Sequence, residues 1–277
     1  MTAVLTLSGL SCGYHGKAVI ENVNLQVDRG GITMLLGPNG VGKTTLFKTI
    51  LGVIPSLGGK VMLQDDDVAG MDRRRFAQQV AYVPQHHDAA FDYSVFEMVL
   101  MGRTPALSAL ATPSKHDEEI AHASIKRLGI EHLEQRSFAL LSGGQQQMAL
   151  IARALTQQPA LLLMDEPCAS LDIGNQHRVL TCIAQLASEG LSVVVTTHDP
   201  NHSLLLGCDV ACLMPTGEVV TGQAAQILSE DLLGRLYGAP VGLGTVSGGG
   251  VLASVCGLVG DGVPPTPIKR EEGNGHE

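Results

Sequence analysis

The sequence predicts an α/β chain built on a parallel sheet, and three segments carry that prediction. Ile32-Thr33-Met34-Leu35-Leu36 is a short apolar run bounded by glycines, the pattern of a strand buried on both faces. Leu161-Leu162-Leu163-Met164 is a second such run and leads into Asp165-Glu166-Pro167. Ser192-Val193-Val194-Val195-Thr196-Thr197 is a third and ends at His198. Each run delivers polar residues at its carboxyl end, where ligand sites in open α/β sheets gather.

The first run opens into Gly37-Pro38-Asn39-Gly40-Val41-Gly42-Lys43-Thr44, which has every part of a Walker A motif. Its glycines let backbone N–H groups wrap phosphate oxygens, Lys43 meets the β/γ charge, and Thr44 offers a hydroxyl to Mg²⁺. Leu46, Phe47, Ile50 and Leu51 then fall at helical spacing, with Gly52 as the stop. The resulting order of strand, loop and helix adds a helix N-terminus to the anion site.

Two adjacent carboxylates at the end of a wholly apolar strand are costly unless a cation or a reaction needs them there. Asp165 is therefore the natural Mg²⁺ partner, directly or through water, and Glu166 the group that polarises an attacking water. His198 is either a polar strand end or, beside the other two motifs, a sensor of the γ-phosphate. Asp199-Pro200 reads as an N-cap and first helical position, so His198 and His202 do not share a helix face and no metal pair is assigned to them.

A second Gly-rich loop, Leu141-Ser142-Gly143-Gly144-Gln145, precedes a helical pattern at Met148, Ile151, Ala152 and Leu155. Taken alone, Ser142 could merely cap that helix. There are thus two phosphate-type loops but one set of hydrolysis residues, which implies that a partner supplies the missing half of each site.

With these motifs assembled, the chain resembles the ATP-binding subunits of ABC transporters over about residues 3 to 240, with all seven family motifs in the family's order. The resemblance implies a P-loop NTPase core of the ABC ATPase type, with an antiparallel β subdomain and a helical subdomain at about residues 86–158. It implies that Tyr14 stacks on adenine and that Gln85, in Tyr82-Val83-Pro84-Gln85, is the Q-loop residue that joins Thr44 and Asp165 around Mg²⁺. Residues 37–44 and Thr45 hold ATP on this reading, while Ser142, Gly143, Gly144 and Gln145 form the signature. Asp165 and Glu166 match Walker B and the catalytic glutamate, Ser170-Leu171-Asp172 the D-loop, and His198 the switch histidine. Lys43, Gln85, Glu166 and His198 would share the catalysis. The implied assembly is a head-to-tail homodimer, in which Ser142 and Gly144 of one copy close over ATP held by Lys43 of the other. Integral-membrane permease subunits and an extracytoplasmic substrate-binding protein complete it.

Within the family, Ala90-Phe91-Asp92-Tyr93-Ser94-Val95, Val99-Leu100-Met101-Gly102-Arg103 and Thr197-His198-Asp199-Pro200-Asn201-His202 resemble importers of metal chelates: ferric siderophores, haem and cobalamin, with molybdate and tungstate systems close by. Manganese and zinc importers share part of the pattern, and a soluble non-transport ABC ATPase is the other alternative. A GTPase is disfavoured because no Asn-Lys-x-Asp motif occurs.

Composition fits this reading. The 277 residues suffice for one α/β core with a smaller appendage. No apolar run approaches the ~18 residues that cross a bilayer, and no signal pattern opens the chain, so the expectation is a peripheral protein at the cytoplasmic face of the membrane. A net charge of −9 argues against a nucleic-acid surface. The six cysteines lack CxxC spacing and read as reduced thiols. Cys168 stands where the family commonly has Thr, and reads as a small buried substitute.

Alternating apolar positions at Val23, Leu25 and Val27 predict antiparallel strands over residues 3–28 that carry Tyr14. Helices are expected at residues 95–101, at 117–128 ending on Gly129, and through Val179, Leu180, Ile183 and Leu186 up to Gly190. Phe91, Tyr93, Val95, Phe96 and Met98 read either as local core or as an apolar docking surface for the membrane partner. The tail, residues 241–277, is rich in Gly, Pro and charge and is expected to be mostly disordered, with one short strand or helix within 251–259.

Overall fold

The computed structural model describes residues 3–85, 92–108, 111–245 and 251–255. The chain opens with strands β1 (Ala3–Tyr14), β2 (Lys17–Asp28) and β3 (Ile32–Leu36), then helix α1 (Lys43–Ile50). Strands β4 (Gly58–Leu63) and β5 (Asp66–Asp67), helix α2 (Arg73–Gln79) and strand β6 (Val80–Val83) follow. The helical region holds α3 (Val95–Leu100), α4 (Lys115–Arg127) and α5 (Gly143–Thr156). Next come β7 (Leu161–Asp165), α6 (Ile173–Ser188), β8 (Ser192–Thr197), α7 (Pro200–Leu206), β9 (Asp209–Leu213) and β10 (Val219–Gln223). Helices α8 (Ala224–Ile227) and α9 (Glu230–Tyr237) and strands β11 (Val241–Thr245) and β12 (Val251–Val255) close it.

The central sheet has six strands in the order β10-β9-β3-β8-β7-β6, parallel except for the antiparallel edge strand β10. An antiparallel four-stranded sheet, β2-β1-β4-β5, stands beside it. Because side chains alternate along a strand, the apolar runs cover both faces of the central sheet. Leu35, Leu163 and Val194 pack with Leu46, Phe47 and Ile50 of α1 against Leu5, Leu7 and Leu10 of β1. Met34, Leu36, Leu162, Met164, Val193 and Val195 point the other way, into the core shared with α5 and α6. Fully burying each such side chain is worth about 1.5–3 kcal/mol, and both faces of the strands that carry the site are thereby fixed.

The helical region is locked by a buried ion pair. Arg103 Nε donates to Asp117 Oδ1 at 2.8 Å and Arg103 Nη1 to the Thr156 carbonyl at 3.0 Å. Asp117 also accepts from the Ser114 N–H and hydroxyl in a capping box that starts α4. The Ser114 hydrogen bonds first, and then Arg103, hold this carboxyl well below the usual carboxylate range.

One alternative is resolved and one expectation changes. Val95 and Met98 are fully buried, and Tyr93 and Phe96 pack against the same core, so these members of the apolar segment are core rather than a docking surface. The reason is that α3 has partners on both sides, α4 and α5, which the sequence pattern does not reveal. Phe91 lies outside the described residues. The start of the tail also differs: residues 241–245, where disorder was expected, pair antiparallel with 251–255 against α9 and α7. Of the short strand or helix expected within 251–259, the structure has a strand, β12. Residues 256–277 lie outside the described part.

Candidate functional site

Strands β3, β8 and β7 are neighbours and parallel, so their carboxyl ends bring the three sequence motifs to one edge of the sheet. Residues 37–42 turn from β3 into α1. Gly40 and Gly42 have φ of 82° and 112°, in the left-handed region that glycine adopts without strain. A Cβ at Gly40 would point into open space, whereas one at Gly42 would lie 2.8 Å from Ile20 Cδ1 of β2. The N-cap of α1 is Gly42, which has no side chain to bond the N–H groups of the first turn, an arrangement suited to an anion. Lys43 is buried and its Nζ donates to the carbonyls of Gly37 and Pro38 at 2.7 and 3.1 Å, while lying 3.1 Å from Glu166 Oε1.

Asp165 closes β7 with 2 % of its surface exposed. Its Oδ2 accepts from Thr44 Oγ1 at 3.0 Å and from the Tyr82 hydroxyl at 3.3 Å, and its Oδ1 from Thr196 Oγ1 at 2.6 Å. Burial, with the Asp165 charge beside it, pushes the Tyr82 phenol well up, so it stays a neutral donor. Thr196 also accepts from the Glu166 N–H at 2.8 Å and thus ties both acids to β8. Glu166 itself sits at φ 45°, a conformation that costs a non-glycine residue of order 1–3 kcal/mol and recurs at functional sites. Its two oxygens are divided between Lys43 Nζ and His198 Nδ1, each at 3.1 Å. His198 lies between β8 and α7, half exposed, while His202 lies within α7 and bonds Thr197 Oγ1.

A hollow of about 340 Å³ is lined by Asn39, Gly40, Gly42, Lys43, Thr44, Thr45, Gln85 and Glu166. The structure therefore brings together the Walker A residues, the acid pair, the glutamine and the histidine. Thr44 and Asp165 present a hydroxyl and a carboxylate in mutual contact, a hard-oxygen donor pair that fits Mg²⁺.

The second loop is elsewhere. Ser142 caps α5 through a capping box with Gln145, so the local reading of that serine holds whatever else it does. Gly144 abuts α6: a Cβ there would come 2.4 Å from Asn175 Cγ, and Asn175 is in turn bonded to Asp172. Gly144 and Gln145 line a different cleft, with Asn175 and Arg178, and none of Ser142, Gly143, Gly144, Gln145 or Asp172 borders the hollow of Lys43. Tyr14 also stands outside that hollow, exposed at the tip of the β1–β2 hairpin whose returning strand touches Gly42. Cys168 is buried and its thiol is pushed up to about 12 by that burial, the behaviour of an inert packing residue.

Thr196 and Tyr82 are the supporting residues that sequence reasoning did not single out. Thr196 follows three valines and sits with Thr197 at the carboxyl end of β8, the end where ligand sites gather, which is the signal that could have raised it.

Comparison with known proteins agrees with this geometry. The ABC transporter family profile matches residues 20–169. A Helicobacter pylori protein named as an iron chelatin transport ATP-binding protein is 39% identical over 241 residues, covering 86% of this chain and 94% of its own. The molybdate import ATP-binding protein MolC of Haemophilus influenzae is 33% identical over 243 residues, 87% and 90% of the two chains. Among solved structures, one described as a metal-chelate type ABC transporter in an inward-facing conformation superposes with a TM-score of 0.84 at 31% identity, covering 92% of this chain and 98% of its own. The phosphate loop, the acid pair and these likenesses converge: the chain belongs to the ABC transporter family as one of its ATP-binding, ATP-hydrolysing subunits.

Proposed function

We propose that the chain powers an importer for a metal chelate or a related oxyanion, burning ATP at a site shared between two copies. The observation that carries the hydrolytic part is Glu166, poised between Lys43 and His198 and next to the Asp165–Thr44 pair. In this reading the N–H groups of residues 37–44 and the Lys43 ammonium hold the phosphates, with Thr45 on the same helical turn. Thr44, Gln85 and Asp165 would hold Mg²⁺, directly or through water, and the ion would neutralise charge on the β- and γ-phosphates. Glu166 accepts the proton of a water whose oxygen attacks the γ-phosphorus in line, as the bond to the β–γ bridging oxygen breaks and ADP leaves. His198 orients Glu166 through Nδ1 and faces the γ-phosphate. Such chemistry depends on positioning and charge rather than covalent help.

The separation of Ser142, Gly143, Gly144, Gln145 and Asp172 from the hollow supports completion of the site by a second, head-to-tail copy. Tyr14 would meet the adenine from the β1–β2 hairpin. Among the described residues no helix is long and apolar enough to cross a membrane, so a peripheral place at the cytoplasmic face, on permease subunits, is part of the proposal. A cleft of about 320 Å³ between Tyr82, Pro84, Gly102 and Arg153, beside the glutamine loop, is the surface we assign to the permease. An extracytoplasmic binding protein would deliver the cargo.

The test is Glu166→Gln, which should cut turnover by about 10² to 10⁴, the usual loss on removing a general base. With Mg-ATP the variant should run as a dimer by light scattering; a monomer at saturating nucleotide would remove the shared site. Uptake assays with iron chelates, cobalamin, molybdate and manganese then name the cargo.

A further inference from the structure

The C-terminal hairpin closes a ring of contacts around the segment that carries His198. Leu243 of β11 and Ala253 of β12 are register partners. At this single cross-strand pair both outward N–H groups are claimed by helices. The Leu243 N–H donates to Glu230 Oε1 of α9 at 2.9 Å. The Ala253 N–H donates to Asn201 Oδ1 of α7 at 2.8 Å, and Asn201 Nδ2 donates back to the Ala253 carbonyl at 3.3 Å. An amide side chain that matches the donor and acceptor of one residue acts as a neighbouring strand would, and so fixes α7 against the hairpin.

Helix α9 then returns to the site. The Tyr237 hydroxyl donates to the His198 carbonyl at 2.8 Å. Burial pushes the Tyr237 phenol up, so it remains a neutral donor. Between His198 and Asn201 stands Asp199, whose Oδ1 accepts from the Asn201 N–H at 2.8 Å. The ring therefore runs from His198 through Asn201, Ala253, Leu243, Glu230 and Tyr237 back to His198. Helix α7 has only seven residues, and a short helix gains most of its order from tertiary packing.

From this ring we infer that Asn201 and Tyr237 are positioning residues for His198, acting through the C-terminal hairpin as a brace that keeps the imidazole on Glu166. The inference rests on the reading of His198 as the γ-phosphate sensor. Its physical basis is that catalytic groups must be held within about 0.5 Å of the productive geometry by the residues around them. A hairpin that only covers apolar surface would affect melting and leave turnover alone.

The full-length chain provides the test. Asn201→Ala and Ala253→Pro break the same clamp from opposite ends, and Tyr237→Phe removes one hydroxyl while keeping the ring's packing. Each should lower kcat about three- to tenfold, the worth of one or two hydrogen bonds, with KM for ATP unchanged within about twofold. Amide exchange should rise across residues 196–206. The Asn201→Ala/Ala253→Pro double variant should be no slower than either single one, because both cut one link. Faster exchange in the hairpin with wild-type kcat, or a change confined to KM, would overturn the inference. His198→Ala is measured alongside: wild-type turnover there sinks the sensor reading itself, whereas a dead His198→Ala with fully active clamp variants sinks only the brace.

Discussion

Replacing Thr196 by valine tests how the acid pair is held. The side chain is fully buried, and valine matches its shape while removing the hydroxyl. Two bonds disappear: the 2.6 Å donation to Asp165 Oδ1 and the 2.8 Å acceptance from the Glu166 N–H. A hydrogen bond to a charged group is worth about 1.5–3 kcal/mol, and a buried N–H left without a partner costs about 1–3 kcal/mol. The losses share one site and do not simply add, so about 3 kcal/mol is expected. At roughly 2–4 °C per kcal/mol for domains approaching this size, the melting temperature should fall by about 6–12 °C. Calorimetry without nucleotide reads this directly. A shift below about 2 °C, under one kcal/mol on that scale, would show that neighbouring groups replace the hydroxyl and that it does not anchor the acids. Turnover at a permissive temperature should fall as well, since Asp165 and the Glu166 backbone both lose a support.

The helical region and the switch segment give two further predictions, both through pH. Asp117→Ala removes the partner of buried Arg103 and the cap of α4, and should lower the melting temperature at pH 7 at least twice as far as Asp231→Ala, which breaks an exposed pair with Arg235. Because the Asp117 carboxyl is depressed in the fold, its contribution is present above the ordinary value near pH 4 and is lost as pH falls below it, so wild type and variant should converge in acid melts. His202 titrates with the opposite consequence. Burial lowers its proton affinity more than the facing Asp199 carboxylate raises it, with His198 lowering it further. The unfolded chain then takes up a proton that the fold refuses, so stability drops as pH falls from 7 through about 6.5 and below. His202→Gln should make that slope shallower between pH 7 and 5; an unchanged slope would mean that the buried imidazole is not its source.

The core of the site was legible because its motifs are contiguous in sequence. The apolar run before Gly37, the glycines of the loop and the helical spacing after Lys43 each act over a few residues, and they reappear as β3, a turn with positive φ at Gly40 and Gly42, and α1. The helix stops at Gly52, Gly129 and Gly190 also have positive φ, as the stop signal requires. Thr196 and Tyr82 escaped because their roles depend on register. Asp165 sits opposite Thr196 in the β7–β8 ladder and Tyr82 opposite Leu163 in β6–β7, relations that no local pattern encodes. The apolar stretch around Val95 and Met98 was ambiguous for a related reason: an amphipathic helix announces a buried face but not what buries it. In the tail, glycine content hid a hairpin whose pairing is long-range and whose anchors, Asn201 and Glu230, belong to other elements.

The contact between Gly42 and Ile20 has a mechanical corollary. Val19 and Ile20 stand so close to the anion-gripping turn that even a methyl group at position 42 would shoulder them aside. The first hairpin is thus packed directly on the turn, with Tyr14 at its far tip. With Tyr14 on adenine, as proposed, a whole nucleotide would engage both the turn and the hairpin's tip, whereas bare polyphosphate would reach the turn alone.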